Sequence, residues 1–507
     1  MMSSRRGLTD HDAAAVESLG KSAARGAGLG MVSQLVRFAA QIAGIAILGR
    51  LLLADDYGLI AMVLAIVGLG EILRDAGLGA AAVQSSTITQ TQKSVLFWIN
   101  TGIGVLLTLV IYLLAEPISS VYSDPRIAAI VQALSITFLI NGLAAQFRAQ
   151  LIRDRYFGRI AVVEVAGTTL GIAAALVAAL SNYGYWALVL QQILQAILFF
   201  LGFMIYARWI PGLPRRGVRI GQYVRFGAGF MSTQILVYLS ANLSSLIIGA
   251  RFGATDTGFY NRAFQLCTLP LNQVSTPASN VSLATLSRLQ HDDDRFMRFA
   301  VRGQLILSSF AVSAYVIVFV CADSLVAIAL GPGWEPAVPI LRAMVIGGIF
   351  QSLGFTAYWI FTAKGWTGSN FRFALVTRST LIILVIGGSI VGPVEAALAY
   401  SIGIAAVWPC GLFWLKKIHG VDIGLLLTTG LRTISVFTVG GVLIYMATTE
   451  IKNTYLEIMM AFVVTILNVA LMCTVFASVR ADFKSLITTA KLLRGRTTKA
   501  NGGSERE

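Results

Sequence analysis

The chain has 507 residues, 56% of them hydrophobic and only 12% charged, with a formal net charge of +15. Average soluble domains carry about 25% charged residues, so this is the composition of a polytopic membrane protein and it excludes a soluble multi-domain enzyme. The positive excess sits in short loops between apolar segments, which argues against a nucleic-acid partner.

Residues 1–27 mix both charge signs without an apolar core and read as a cytoplasmic N-terminal tail. A bilayer crossing needs roughly 20 mostly apolar residues, and about fourteen such windows follow. They lie near 28–52, 57–82, 94–115, 127–148, 160–180, 184–207, 227–250, 258–286, 301–325, 336–362, 371–391, 393–415, 427–448 and 455–479. Turn chemistry separates them, with SDP at 123–125, SNYG at 181–184, GPGWEP at 331–336 and VGP at 391–393. With both tails inside, the inner loops are the basic ones: RDRYFGR at 153–159, RWIPGLPRRGVR at 208–219, KK at 416–417 and KLLRGRTTK at 491–499. Of the 39 Lys and Arg, only Arg50, Arg126, Arg251 and Lys452 then fall outside, while Arg37, Arg74, Arg262, Arg342 and Arg378 lie within helices. That asymmetry is what the positive-inside rule requires. Cys267, Cys321, Cys410 and Cys473 are far apart in apolar segments and read as buried bystanders.

An ungapped shift of 200 residues aligns 31–58 with 231–258. It superimposes Met31 on Met231, Gln34 on Gln234, Ile47 on Ile247, Gly49 on Gly249, Ala54 on Ala254, Asp56 on Asp256 and Gly58 on Gly258. Asp124-Pro125 and Glu335-Pro336 form a second echo. Six helices separate the copies, which gives repeats of parallel topology. The expected fold is therefore an all-α polytopic membrane protein. It holds two pseudo-symmetric six-helix bundles (28–207 and 227–415), a basic inter-bundle loop (208–226), two extra C-terminal helices (427–479) and a basic cytoplasmic tail (480–507). Paired bundles of this kind are a transporter plan, although duplicated bundles also occur in membrane enzymes and channels.

The runs RLLLADDYGLIAMV (50–63), DAGLGAAAVQ (75–84), TQTQKSVLFWIN (89–100), GFYNRAFQLCTLPLNQVSTPASNVSLATLSRL (258–289) and GPGWEPAVPILR (331–342) resemble those of the Wzx-type polysaccharide exporters. These belong to the multidrug/oligosaccharidyl-lipid/polysaccharide exporter superfamily. The resemblance covers about residues 28 to 415. It implies a V-shaped pair of bundles in the bacterial inner membrane, flipping a polyprenyl-diphosphate-linked oligosaccharide for exopolysaccharide, capsule or O-antigen assembly. It also implies membrane lipids, a polysaccharide polymerase and a chain-length regulator as partners. No cofactor is expected beyond coupling to a proton or sodium gradient.

A charge at the centre of a membrane helix costs about 2.5–3.5 kcal/mol on insertion scales, so it faces a cavity or a partner. Arginine suits a diphosphate because its planar fork of donors matches phosphate oxygens. The cavity candidates are Arg37, Arg262, Arg342 and Arg378, each with a structural alternative. For Arg37 that alternative is a helix 2 carboxylate; for Arg342 it is pairing with Glu335 or snorkelling. Gln234, Tyr238, Asn242 and Ser245 form a polar stripe at helical spacing, and Asn261 and Gln265 flank Arg262. Sugar contact and helix–helix packing are the two readings of those polar residues. In EILRDAGLGAAAVQ (71–84), Glu71, Arg74 and Asp75 share one helix side. They read as a charged gate at the cytoplasmic mouth or as a structural ion pair at a helix end. Glu71, Asp75 and Glu164 are the acidic groups placed within helices and the candidates for ion coupling.

A multidrug or other lipid-linked-precursor exporter of the same superfamily is the nearest alternative. A membrane polymerase or glycosyltransferase fits less well, since no long outer loop offers catalytic groups. No catalytic residue or metal site is expected. His11, His291 and His419 fall on the inner side, HDDDR at 291–295 reads as a solvated loop, and no GxxxxGK[ST] loop is present.

Overall fold

The computed structural model describes residues 33–484 apart from 76, 85–87, 215–220 and 452. The expected tails, 1–27 and the part beyond 484, lie outside the described residues. The chain divides into two compact units, Met1–Leu239 and Ser240–Glu507.

The N-terminal unit contains α1 (Ser33–Leu51), then α2 (Ala54–Asp75), α3 (Leu78–Gln84), α4 (Gln90–Leu113), α5 (Ala115–Tyr122), α6 (Arg126–Arg153), α7 (Phe157–Leu180) and α8 (Trp186–Ala207). Helix α9 (Gly221–Arg288) contains the boundary between the units. The C-terminal unit continues with α10 (Asp293–Val320), α11 (Ala322–Ala329), α12 (Ala337–Ala363), α13 (Thr367–Val391), α14 (Pro393–His419), α15 (Gly424–Thr448) and α16 (Thr454–Val475).

The protein is an all-helical, multi-pass membrane protein. Among the described residues, 13 helices are long and apolar enough to cross a bilayer, against the fourteen windows expected from sequence. The difference arises in α9, where the seventh and eighth windows run together. Its 68 residues would reach roughly 100 Å as one straight helix, but Gly253 breaks it at φ 86°, ψ −171°. That backbone region is essentially restricted to glycine. The second window is also shorter than expected, because Gly77 at φ 66° ends α2 and a separate α3 follows.

The two units repeat one another in pairing and in turn chemistry. In the first, α4 packs on α6, α6 on α8 and α7 on α8; in the second, α10 packs on α12, α12 on α14 and α13 on α14. A short helix, α5 or α11, precedes the Asp124-Pro125 and Glu335-Pro336 turns, and each proline caps the long helix that follows. Those long helices also end alike. Tyr156 N donates to Leu151 O at 2.9 Å and Trp366 N to Phe361 O at 2.8 Å, around a left-handed residue, Arg155 or Gly365. Helices α15 and α16 attach through buried amides. Gln304 Nε2 donates to Leu426 O at 2.7 Å, and Asn468 Nδ2 to Val436 O at 3.0 Å, the polar contacts that hold apolar helices together in lipid.

Two expectations about side chains change. Cys267 and Cys321 are buried, but Cys410 is exposed and Cys473 half-buried, because a bilayer solvates an outward-facing thiol as readily as a core does. HDDDR begins a helix: Asp292 Oδ1 accepts from Arg295 N at 3.0 Å and caps α10.

Candidate functional site

The charged motif on α2 lies against a cavity of about 810 Å³ inside the N-terminal unit, between α2, α3, α6, α7 and α8. Arg74 Nε donates to Glu71 Oε2 at 2.7 Å, and its Nη1 reaches Asn141 O at 3.3 Å. Asn141 Nδ2 donates back to Glu71 Oε1 at 2.8 Å. Arg74 is only 8% exposed, so these groups form a network inside the unit. Glu71 borders two smaller cavities as well. One, of about 230 Å³, is lined by Thr137, Asn141, Gln192 and Gln195; the other, of about 180 Å³, by Asp75, Met231 and Gln234.

The second charge centre is Glu164 on α7. It accepts from Arg37 of α1 and, at 3.1 Å, from Arg148 Nη2 of α6. Glu164 is 17% exposed and Arg148 50%. Arg37 also donates to Gln34. The expected partner for Arg37 was a helix 2 carboxylate; the helix 2 carboxylate Glu71 is instead held by Arg74 and Asn141, and the α7 carboxylate pairs with Arg37. The lining of the large cavity holds two arginines, Arg74 and Arg148, with three carboxylates, Glu71, Asp75 and Glu164. Its charges are therefore mixed rather than uniformly cationic.

The α9 polar stripe divides in use. Tyr238 packs on α2, its hydroxyl donating to Leu64 O at 3.0 Å and lying near Ala65 O at 3.1 Å. Gln234 is exposed and borders the smallest cavity. In the C-terminal unit, Asn242 is half-buried, Asn261 Nδ2 donates to Ser245 Oγ at 2.8 Å, and Arg262 donates to Gln265. Arg378 Nη1 donates to Ser240 Oγ at 3.1 Å. Arg342 pairs with Asp323 of α11 at 2.5 Å and with Phe319 O at 3.2 Å. Glu335, its expected partner, instead accepts from Gly333 N at 3.2 Å. Of three aromatic side chains that could stack on a sugar, Trp359 is fully buried and donates to Ser279 at 2.9 Å, whereas Trp186 and Tyr358 are exposed.

The pattern of the family described as polysaccharide biosynthesis protein matches residues 47–339, more than half of the chain. The chain belongs to this polysaccharide biosynthesis family. It is 25% identical over 365 residues to the lipopolysaccharide biosynthesis protein WzxC of Escherichia coli, covering 70% of this chain and 73% of that one. To the succinoglycan biosynthesis transport protein ExoT of Rhizobium meliloti it is 24% identical over 404 residues, 78% and 80% of the two chains. The fold is similar to that of the lipid II flippase MurJ in an inward closed conformation, with a TM-score of 0.71 at 15% identity over 88% of this chain and 98% of that one. An inward-facing MATE-family multidrug transporter matches with a TM-score of 0.59 at 12% identity over 79% and 95%. This member of a polysaccharide biosynthesis family thus shares the fold of those two membrane proteins.

Two site residues in this family member escape a reading of the sequence. Arg148 closes an apolar window and counts there as the first cation of a basic loop. Asn141 shares its apolar window with the amides Gln132 and Gln146, and nothing in the sequence sets it apart from them.

Proposed function

We propose that this transporter moves a polyprenyl-diphosphate-linked oligosaccharide from the cytoplasmic to the outer leaflet by alternating access, and that the N-terminal cavity receives the diphosphate. The observation that carries the reading is the sharing of one carboxylate, Glu164, by two guanidiniums, Arg37 and Arg148. That trio holds one net positive charge. Arg148 spends a single hydrogen bond on Glu164, which leaves most of its five N–H donors for phosphate oxygens. A diphosphate crossing bare hydrocarbon faces a prohibitive desolvation cost, and the Arg148 guanidinium on the wall of a cavity of about 810 Å³ lowers it.

The aromatic side chains Phe199 and Phe203 complete the cavity wall and suit the apolar faces of sugar rings. Orientation follows from charge. One end of the unit carries Arg153, Arg155, Arg159 and Arg208, and the other Asp55, Asp56, Glu116 and Asp124 against Arg50 and Arg126. The first is then cytoplasmic, with both termini on that side. Glu71 and Asp75 border the same cavity and are the groups proposed to couple transport to a proton or sodium gradient.

A strain lacking the transporter should accumulate the polyprenyl-linked intermediate, and restoring the wild-type chain should clear it. Unchanged intermediate levels together with increased drug sensitivity would favour a multidrug exporter instead.

A further inference from the structure

The segment that leaves α8 forms a strap fastened to the start of α4. Trp209 packs edge-on against Phe97 and Phe147, with ring centroids 6.2 and 5.6 Å away. Gly212 N donates to Ser94 Oγ at 3.0 Å, and Trp98 Nε1 donates to Gly212 O at 2.9 Å. These contacts fix which way the strap faces, and they leave Ile210 89% and Leu213 82% exposed. Two large apolar side chains held outward on a pinned loop mark an interaction surface.

The backbone of the strap is suited to a low-water setting. Irregular backbone facing lipid is normally excluded from the hydrocarbon core because its polar groups lack partners. Here Pro211 and Pro214 have no N–H at all, and both polar groups of Gly212 are bonded to α4. The strap thus has fewer backbone N–H groups to hydrate, and its remaining polar groups meet water at the headgroup level. The cations around it favour an anionic surface. Arg155 and Arg208 are exposed, while Arg159 lies 4.1 Å from the centroid of the Tyr156 ring and donates to Tyr206 O at 3.3 Å. Tyr156 and Phe157 are themselves exposed beside them, the mixture of aromatic and basic side chains found at membrane interfaces.

The matching place in the C-terminal unit is built differently. Helix α8 is capped by Arg208 and α14 by Gly420, both left-handed. After Gly420, however, Asp422 accepts from Gly424 N at 2.9 Å and the chain enters α15 at once. The repeat thus carries this strap in one copy only.

We propose that residues 208–214 form an interfacial anchor for anionic phospholipid headgroups, with Ile210 and Leu213 inserted among the acyl-chain ends and the neighbouring arginines on the phosphates. This does not depend on the export reading, since any activity of the chain would retain it.

The test uses the full-length chain with Cys410 and Cys473 replaced by serine and a spin label at Ile210→Cys or Leu213→Cys. It is reconstituted into vesicles of phosphatidylcholine alone or of phosphatidylcholine with phosphatidylglycerol. In the anionic vesicles, collisions with a water-soluble nickel chelate should fall at least about threefold below those of a label at Asn182→Cys, while oxygen collisions rise. Removing the phosphatidylglycerol should reverse part of that change. Nickel collisions equal to those at 182 would overturn the insertion, and identical depth in both vesicle types would overturn the anionic preference.

Discussion

Arg74 donates to Glu71 one helical turn before it, at 2.7 Å, and both belong to a network closed by Asn141 from another helix. Arg74→Ala leaves Glu71 inside the unit with only an amide to neutralise it. Breaking a fully buried pair costs about 3–5 kcal/mol, and the partial exposure of Glu71 reduces this to roughly 2–3 kcal/mol. Thermal unfolding of the purified variant should show the loss. Glu71→Gln with Arg74→Ala should recover part of it, because no uncompensated charge remains.

Arg148→Ala should behave in the opposite way. Glu164 keeps Arg37 as a partner, and a half-exposed pair contributes only about 0–1 kcal/mol. The variant should unfold within a degree or two of the wild type, yet lose most polymer export in a complemented deletion strain. Arg37→Ala should reduce both, since Arg37 is the more buried of the two cations on Glu164.

A close approach joins α2 to α9. A Cβ at Gly68 would lie 2.1 Å from the Tyr238 hydroxyl oxygen, so Gly68→Ala should destabilise by about 1–3 kcal/mol through overpacking. Tyr238→Leu in the same chain removes the obstructing ring. The double variant should unfold closer to Tyr238→Leu alone than the sum of the single effects requires, which a double-mutant cycle measures directly.

Outside the membrane-spanning helices, Asp124 holds Arg126 at 2.7 Å, and Arg126 also reaches Asp55 of α2 at 2.6 Å. The hydrogen bond from Arg126 keeps the Asp124 carboxyl below its ordinary value, with burial opposing it. A depressed folded-state pKa contributes stability that is complete above the unfolded value, near 3.9, and is lost as pH falls through the folded one. The stability difference between wild type and Asp124→Asn should therefore be constant above about pH 5 and shrink below about pH 4. A difference that grew on acidification would reverse the assigned sign.

Much of this architecture is legible in the sequence because membrane helices announce themselves by length and apolarity, and a duplicated chain repeats its turn residues. Asp124-Pro125 and Glu335-Pro336 mark the same turn in both units for that reason. Helices α5 and α11 are missed, being too short to cross a bilayer and merging with the polar breaks. The break at Gly253 falls in the polar gap, 251–257, that the sequence leaves between the seventh and eighth windows. At the site, Glu71 and Arg74 stand out as charges in an apolar window. Pairing between distant helices does not: Arg37 with Glu164 and Arg342 with Asp323 follow from how the helices pack, and residue spacing carries no record of it. The strap at 208–214 reads as a plain basic loop until Trp209 is seen seated between Phe97 and Phe147.

On the proposed function, Arg148 meets the diphosphate of a lipid-linked saccharide. The most direct measurement of that contact is leaflet-to-leaflet transfer of a fluorescent polyprenyl-diphosphate saccharide in proteoliposomes containing wild-type, Arg148→Lys or Arg148→Glu protein. Transfer should fall severalfold with lysine, which keeps the charge but loses the planar fork, and at least about 100-fold with glutamate, which places a carboxylate against the phosphates. Equal transfer by all three proteins, at equal folded content, would exclude contact between Arg148 and the diphosphate.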